Sequence, residues 1–513
     1  MKFEKGKILA DLPVIFLALF NICIHLLVIN NLEYHRDELL YFSLGQHPDF
    51  GYATVPPMIG WIAWFMQNVF GYSLFAVRLF PALLSGVMVL LVSAVAREFG
   101  GSSYSGILAS IGFIISVFAL RTYSLYMPVQ IDLFFWTLVI YLLLRYINTS
   151  SDKTLIWLGI VMGLSLLNKY LIGVLFICLI CVVPFTPNRK VIKNKNFWIG
   201  ISVGILVFLP NVIWQFVNGL PVFFHLSELG RTQLVHVDRI AFLTDQIIMP
   251  SWASVLTIAG LIFLFRNKES GKFRFLGIVS ILVVVLLIFM RGKSYYTIGI
   301  FPFLISAGAV WYERWLERKW IRIAVPVLLI LLTIPMIPFG LPVYKSEGLV
   351  KYFRVVESKY GIKLGRRFED GTIHSLPQDY ADMIGWEELT AITARAYNSI
   401  EDKKAGIIYG ENYGHAGAIT IIGKKYGLPE AVCFSESFRY WIPLKFDRDI
   451  KSFIYINDKL GKDIQKLFNK ITLIGMISNP DSREYGTKVY LCEDPNSSFN
   501  EFWTNRLKDL KKY

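Results

Sequence analysis

Residues 8–41 read ILADLPVIFLALFNICIHLLVINNLEYHRDELLY, an apolar run that passes directly into a polar stretch with carboxylates, a guanidinium and an imidazole. The apolar run ends at residue 30, is long enough to cross a bilayer and lacks a small-residue cleavage site, which predicts a first transmembrane helix rather than a signal peptide. The polar stretch is then expected at the membrane surface, where clusters of ionisable side chains are often functional. Alternatively, Asp37 only caps a short interfacial helix that begins at Glu38.

Ten further apolar runs follow, and 54% of the 513 residues are hydrophobic, so the sequence predicts a polytopic α-helical membrane protein with eleven transmembrane helices. The ten runs cover residues 75–96, 103–120, 130–147, 154–167, 171–186, 196–213, 247–265, 273–290, 296–312 and 321–340. Residues 31–73, between the first helix and these runs, form a non-spanning loop whose Trp- and Phe-rich part is typical of a helix in the membrane interface.

The net charge of +14 is distributed over alternate loops between these runs. Membrane proteins concentrate Lys and Arg in their cytoplasmic loops, so this pattern indicates an N-terminus inside the cell and gives no reason to expect a nucleic-acid partner. An odd number of spans then places the C-terminal segment outside. We therefore predict a membrane domain over residues 1–343 and an extracytoplasmic domain over residues 344–513.

The C-terminal segment has the short apolar strands and the amphipathic helix of a compact α/β domain. Strands are predicted at residues 405–409, 453–456 and 489–492, and a helix at residues 379–400. A glycine-rich turn, GENYGHAG at residues 410–417, could bind an anion at a helix start, but its spacing fits neither a dinucleotide fingerprint nor a P-loop. A turn that only permits tight strand-to-helix packing is favoured. Cys433 and Cys492 could pair if this domain is exported.

The predicted topology places several polar side chains on the outer side of the membrane domain. Besides Arg36, Asp37 and Glu38, these include Arg121, Asp132, Lys169, Tyr170, Lys293, Tyr295 and Tyr296. Cations at a membrane surface can hold the oxygens of a lipid-linked phosphate, while a carboxylate accepts a proton from an attacking hydroxyl. This combination suits sugar transfer from a lipid phosphate, with Asp37 as the base. Glu38 should have a separate role, since adjacent residues of a helix point about 100° apart.

For the donor phosphate we take Lys293 as the principal cation, because it stands in an outer turn directly before a predicted span, and Lys169 and Arg121 as lesser candidates. Purely structural interpretations remain open. Lys169 could be a lysine that extends to the membrane interface, and Asp132 could cap the fourth helix. No grouping of His, Cys, Asp or Glu has the spacing of metal ligands, so no cofactor is expected and a divalent metal is not indicated.

Several motifs of this chain occur together in one known family. They are YHRDE at 34–38, GY at 51–52 with VPP at 55–57, RLFPA at 78–82, Asp132 between Pro128 and Trp136, LNKY at 167–170, Lys293 with Tyr295, Tyr296 and Pro302, DMIGWEE at 382–388 and NYGHAGA at 412–418. Together they resemble the GT-C membrane glycosyltransferases, nearest to the bacterial branch of the protein O-mannosyltransferase and lipid A aminoarabinose transferase group.

This resemblance implies a GT-C transmembrane domain with a C-terminal α/β extracytoplasmic domain. It also implies a polyprenyl-phosphate sugar as donor and a lipid, glycan or protein hydroxyl as acceptor, at the outer face of the bacterial inner membrane and among its lipids. Asp37 matches the family's first-loop aspartate. Aminoarabinose transferases carry a Glu-Lys pair directly before Pro-Pro, whereas this chain has Thr54-Val55, which leaves the sugar and the acceptor open.

Two other classes of protein are considered. A transporter or flippase of a lipid-linked sugar would also have many spans, but inverted repeats and matching broken helices are not found in the sequence. A structural or binding membrane protein would have no need of an acidic pair beside the first helix.

Overall fold

A computed structural model describes residues 5–266, 271–363, 365–368 and 371–510. The chain divides into two compact units, each assembled from more than one part of the sequence. The helical unit consists of the residues up to Ile29, Asp49–Ile59 and Arg78–Val343, and the mixed unit of Asn30–Pro48, Gly60–Val77 and the residues from Tyr344 onward. Two segments of the first loop therefore belong to the same unit as the C-terminal part of the chain.

The first two thirds of the chain are helical, as the apolar runs predict. In chain order the helices are α1 (Lys5–Leu27), α2 (Arg36–Ser43), α3 (Met58–Phe70), α4 (Leu74–Glu98), α5 (Ser103–Ile114), α6 (Val117–Tyr123), α7 (Pro128–Thr149), α8 (Asp152–Leu166), α9 (Gly173–Val182), α10 (Lys195–Val217), α11 (Pro221–Thr232), α12 (Arg239–Ile248), α13 (Ser254–Arg266), α14 (Arg274–Phe289), α15 (Phe301–Trp315), α16 (Lys319–Thr333) and α17 (Ile337–Gly340).

Among the described residues, six helical segments are long and apolar enough to cross a membrane, and up to nine if each of three bent pairs is one span. The bent pairs join α5 to α6, Tyr170–Phe185 to Pro187–Lys193, and α12 to Ser251–Arg266. By this measure, at most nine of the eleven predicted spans are found in the described residues. The two predicted spans that fall short are the first, described as apolar only over Leu12–Leu27, and the fourth after the loop, which is the 15-residue α8. The 15 residues of α8 are fewer than a straight span requires, whereas α1 has 23 residues in all.

The mixed unit contains the first-loop helix α2, most of α3 and a small sheet. Its remaining elements are α18 (Ser346–Tyr360), α19 (Gln378–Ala381), α20 (Trp386–Asn398), β1 (Gly406–Gly410), α21 (Tyr413–Ile421), β2 (Ser452–Asn457), α22 (Lys462–Leu467), β3 (Phe468–Met476), β4 (Lys488–Pro495) and α23 (Phe499–Leu510). The strand order is β1-β2-β4-β3, with β1 and β2 parallel and the other pairs antiparallel. The predicted α/β character is confirmed, and β3 is the strand that the sequence analysis missed.

The sheet shares its core with α22 and α23. Tyr409, Phe453, Phe468, Phe499 and Trp503 form an aromatic cluster in which each side chain is at least nine-tenths buried. Full burial of one such side chain stabilises the fold by roughly 1.5 to 3 kcal/mol. The sequence of this region can therefore hold a compact core outside a membrane.

Cys492 belongs to this core, and Cys433 is buried beside Ser435, with 3.1 Å between Sγ and the hydroxyl oxygen. Both cysteines are free thiols. The disulfide considered from the sequence is therefore not formed, because each thiol packs as a small buried side chain among its own neighbours.

Candidate active site

Helix α2 carries the polar stretch of the first loop and is capped by its own side chains. His35 is the N-cap residue, and its Nδ1 accepts the backbone N–H of Asp37 at 3.0 Å. The Glu38 carboxylate completes a capping box by accepting the backbone N–H of His35 at 2.8 Å. The helix therefore begins at Arg36, and the alternative in which Asp37 caps a helix starting at Glu38 is wrong.

The two carboxylates of this stretch have different surroundings. Glu38 is fully buried and hydrogen-bonded to the helix start, whereas Asp37 is half-buried in the first turn. Burial and hydrogen bonding give Glu38 a structural role, and its catalytic role stays a prediction. The Asp37 carboxylate has no part in capping and is partly accessible to a substrate.

Helix α2 packs so closely against α21 that backbone atoms of the two helices approach each other. A Cβ atom at Gly417 would stand 2.9 Å from the carbonyl carbon of Leu39, and one at Gly414 would stand 2.9 Å from Cγ of Arg36. Both distances are shorter than ordinary carbon contacts, so this packing depends on glycine at the two positions. The predicted tight packing of the glycine-rich turn is confirmed, and α2 is one of its partners.

The Asp37 carboxylate is held by a side chain from α21. Its Oδ1 accepts a hydrogen bond from the Tyr413 hydroxyl at 2.8 Å. The ring of Tyr413 also covers Arg36, whose guanidinium carbon lies 4.5 Å from the ring centroid. No group in the described part of the chain donates a hydrogen bond to Oδ2. One oxygen of Asp37 is thus fixed, and the other remains available as a proton acceptor.

Arg36 is in turn paired with an anionic side chain. Its guanidinium lies 3.9 Å from one oxygen of Glu484, and the other oxygen of Glu484 is 2.9 Å from Nε2 of His415. Burial alone would raise the pKa of Glu484, but the hydrogen bond and charge of His415, with the charges of Arg36 and Arg483, outweigh it and lower the pKa to about 2. Glu484 therefore stays anionic near neutral pH and holds Arg36 in place.

Asp382, at the end of α19, supports the start of α2. Its backbone oxygen accepts the N–H of Arg36 at 3.1 Å, and its carboxylate pairs with Arg483 at 3.0 Å. Burial raises the pKa of Asp382, although the charges of His35, Arg483 and Arg36 oppose the shift. The first turn of α2 is thus tied to the C-terminal segment through backbone and side-chain contacts.

A second group of predicted site residues comes together in the helical unit. The Lys169 ammonium lies 5.4 Å from the ring centroid of Tyr295 and 5.3 Å from that of Tyr296, and the two rings meet edge to face. Asp132 and Lys293 both interact electrostatically with Lys169. The structure therefore gathers two ammonium groups, one carboxylate and two phenol rings in one place, a combination that can bind an anion.

The remaining predicted residues of the helical unit have other surroundings. Asp132 is buried in the second turn of α7, whose N-cap residue is Met127, so the interpretation of Asp132 as a helix cap is wrong. The Tyr170 hydroxyl donates to Asn211 on α10 at 2.6 Å. Arg121 lies on α6 with its terminal guanidinium nitrogens buried. Binding of substrate by Tyr170 and by Arg121 stays a prediction.

The sequence analysis assigned no role in the site to the side chains that lie near Asp37 from the C-terminal segment, although some of them belong to the quoted motifs. These are Asp382, Tyr413, His415, Arg483 and Glu484. Tyr413 and His415 lie in the glycine-rich turn, where closely spaced glycines indicate close approach of another element. The loop that carries Arg483 and Glu484 has no apolar period or glycine pattern that distinguishes it from any solvated loop.

Comparison with known proteins agrees with this fold. A family model described as dolichyl-phosphate-mannose-protein mannosyltransferase matches residues 54–214. The chain is also similar to the crystal structure of ArnT from Cupriavidus metallidurans bound to undecaprenyl phosphate, with a TM-score of 0.64 and 14% identity over 93% of this chain and 97% of that one. The chain has the GT-C fold. The family resemblance and the fold class predicted from the motifs are confirmed.

Two further proteins resemble this GT-C chain. It is 26% identical over 215 residues to lipid A galacturonosyltransferase RgtD from Rhizobium johnstonii, a match that covers 39% of this chain and 43% of RgtD. The crystal structure of the Archaeoglobus fulgidus oligosaccharyltransferase in complex with zinc and sulfate matches with a TM-score of 0.51 and 11% identity, over 86% of this chain and 67% of that one. Within the described residues of the GT-C chain, no three His, Cys, Asp or Glu side chains form a group that could hold a metal ion.

Proposed function

We propose that this chain transfers a sugar from a polyprenyl-phosphate donor to a hydroxyl group of a lipid, glycan or protein. The hydroxyl attacks the anomeric carbon, the bond from that carbon to the phosphate oxygen breaks, and polyprenyl phosphate leaves while the hydroxyl proton passes to a carboxylate. The donor class is supported by the undecaprenyl phosphate bound to ArnT, whose fold this chain shares, and by the dolichyl-phosphate donor in the description of the matching family.

The observation that carries the proposal is the state of the Asp37 carboxylate. It projects from a helix whose start is fully capped by other groups, one oxygen is fixed by Tyr413, and the other is open. A general base needs a positioned carboxylate with a free oxygen within reach of the attacking hydroxyl. Asp37 is such a positioned carboxylate with an open oxygen, whereas Glu38 is buried and is not.

The ammonium groups of Lys293 and Lys169 in the helical unit would bind the donor phosphate, with Lys293 as the principal cation and Arg121 as a further candidate. Phosphate gains negative charge as its bond to the sugar breaks, so a nearby cation stabilises the transition state more than the bound donor. The rings of Tyr295 and Tyr296 limit the movement of the Lys169 side chain and hold its ammonium group in place.

The reaction would take place at the outer face of the bacterial inner membrane, with the residues from 344 onward outside the cytoplasm. The distribution of Lys and Arg over the loops supports this orientation. A polyprenyl chain would lie among the membrane lipids and bring its phosphate to headgroup depth. The acceptor hydroxyl would then belong to a component of the cell envelope.

The test is turnover of purified protein in lipid nanodiscs. Undecaprenyl phosphates carrying radiolabelled mannose, galacturonic acid or aminoarabinose are supplied one at a time with a cell-envelope extract as acceptor. We expect one of the three donors to release undecaprenyl phosphate and to transfer its label to the extract, and Asp37→Asn to do so far more slowly. A protein that moves a labelled lipid across vesicle membranes but releases no undecaprenyl phosphate from any donor would instead be a flippase, and the proposal would be wrong.

A further inference from the structure

We propose that Tyr413 is a positioning residue for the reaction: its hydroxyl holds one oxygen of the Asp37 carboxylate so that the other oxygen faces the attacking hydroxyl. The inference rests on the proposed function, and it assigns the C-terminal segment a direct part in catalysis. Its basis is the 2.8 Å hydrogen bond from the Tyr413 hydroxyl to Oδ1 of Asp37.

A half-buried aspartate on the first turn of a helix would ordinarily sample several rotamers, and only some of them would present an oxygen to the substrate. A hydrogen bond from a rigid donor selects one of them. Catalysis gains from this selection because a base that already stands in the reactive geometry loses no further freedom in the transition state. Tyr413 can do this only if its own position is fixed.

The position of Tyr413 is fixed from two sides. On the side of α21, Asn412 caps the helix by accepting the N–H groups of Gly414 and His415 at 2.8 and 3.1 Å. On the side of α2, the Arg36 guanidinium lies 4.5 Å from the centre of the Tyr413 ring. The ring is therefore held between a capped helix start and a side chain of the same motif that carries Asp37.

The hydroxyl of Tyr413 is also a reliable donor. Burial, together with the charge of Asp37, raises the pKa of Tyr413 well above its usual value. The phenol therefore keeps its proton near neutral pH and can donate it in the hydrogen bond to Asp37. This fits a part in orientation, because a hydrogen bond donated to Oδ1 leaves the other oxygen of the carboxylate to accept a proton.

The test compares Tyr413→Phe with Tyr455→Phe in full-length protein. Tyr455 lies on β2 and donates to the Glu411 carboxylate at 3.0 Å, so its replacement removes a similar hydrogen bond from the same unit without contact with Asp37. We expect Tyr413→Phe to lower kcat about tenfold or more while KM for the polyprenyl-phosphate donor changes less than about twofold. Tyr455→Phe should leave both constants near those of the wild type.

A double-mutant cycle with Asp37→Asn separates positioning from general damage. If Tyr413 acts through Asp37, then Tyr413→Phe lowers the residual rate of the Asp37→Asn protein by less than about twofold. An equal loss in both backgrounds would show a role in folding only and would overturn the inference. Wild-type rates in Tyr413→Phe, with an active wild type, would overturn it as well. A wild type that releases no polyprenyl phosphate would refute the proposed function itself, and the inference with it.

Discussion

Replacement of Gly417 by alanine should disturb the active site without unfolding the protein. Gly417 lies within α21, and a Cβ atom there would stand 2.9 Å from the carbonyl carbon and from Cβ of Leu39, and 3.0 Å from its backbone oxygen. These are mainly backbone atoms of α2, so no side-chain rotation can relieve the contact. The helix that carries Asp37 must move away from the helix that carries Tyr413.

The displacement can be estimated from these distances. Ordinary carbon contacts begin near 3.4 Å, so α2 must shift by about 0.5 Å. The hydrogen bond between Tyr413 and Asp37, 2.8 Å long at present, would lengthen toward 3.3 Å and weaken. Overpacking costs about 1 to 3 kcal/mol, and the better helix propensity of alanine offsets about 1 kcal/mol of that. A misplacement of about 1 Å can lower a rate about 100-fold, so half of it predicts a loss of about tenfold.

The assay measures release of undecaprenyl phosphate by Gly417→Ala together with its melting temperature. Gly423→Ala is the matched control, because a Cβ atom there would also make a tight contact, with Cβ and Cδ1 of Leu428 at 3.0 and 3.1 Å, but Leu428 is not part of α2. We expect the control to keep its rate within about twofold, since it does not touch α2. A stable Gly417→Ala protein with the wild-type rate would refute the claim that α21 sets the position of Asp37.

Three further predictions follow from the charges. Lys293→Met and Lys169→Met should each weaken donor binding and slow single turnover, by about 1.5 to 3 kcal/mol in the transition state, with the larger effect at Lys293, as measured by donor titration and rapid quench; unchanged constants in both would remove these ammonium groups from the donor site. Glu484→Gln should lower the melting temperature at pH 7 by an amount equivalent to about 3 kcal/mol, because a carboxyl with its pKa lowered to about 2 stabilises the folded state above its usual pKa of 4.5. This difference from the wild type should shrink as the pH falls from 4.5 toward 2, and a difference independent of pH would contradict the charge interaction. A phosphatase fused after Tyr513 should be active, since the C-terminal segment is expected outside, and an inactive fusion with normal expression would invert the topology.

The sequence predicted the features that depend on local composition. Long apolar runs indicated membrane helices, and short apolar runs near residues 405–409 and 453–456 indicated strands, because burial imposes a period on the sequence. Strand β3 was missed since it lies at the edge of the sheet, where only one neighbour constrains it and half of its side chains face away from the core. Hydropathy alone does not show where an apolar run bends, so the bent pairs, such as α5 with α6, were not predicted.

The candidate site was predictable in part, and its function stays a prediction. Asp37 stood out because a charged carboxylate close to the membrane is unfavourable in free energy, and such groups are usually functional. Its surroundings could not be predicted, since Tyr413 lies 376 residues away in the chain and no local pattern encodes that contact. The capping roles of His35 and Glu38 follow from their three-residue spacing. The sequence hides this capping box because its first residue is His instead of Ser or Thr.

The most direct test of the central claim is the turnover rate of Asp37→Asn, measured as release of undecaprenyl phosphate from the active donor. Asparagine keeps the shape of the side chain and can still contact Tyr413, but it cannot accept a proton from the attacking hydroxyl. We predict a rate at least about 100-fold below that of the wild type, with donor affinity and melting temperature retained. A folded Asp37→Asn protein that binds the donor and turns over at the wild-type rate would show that Asp37 is not the catalytic base.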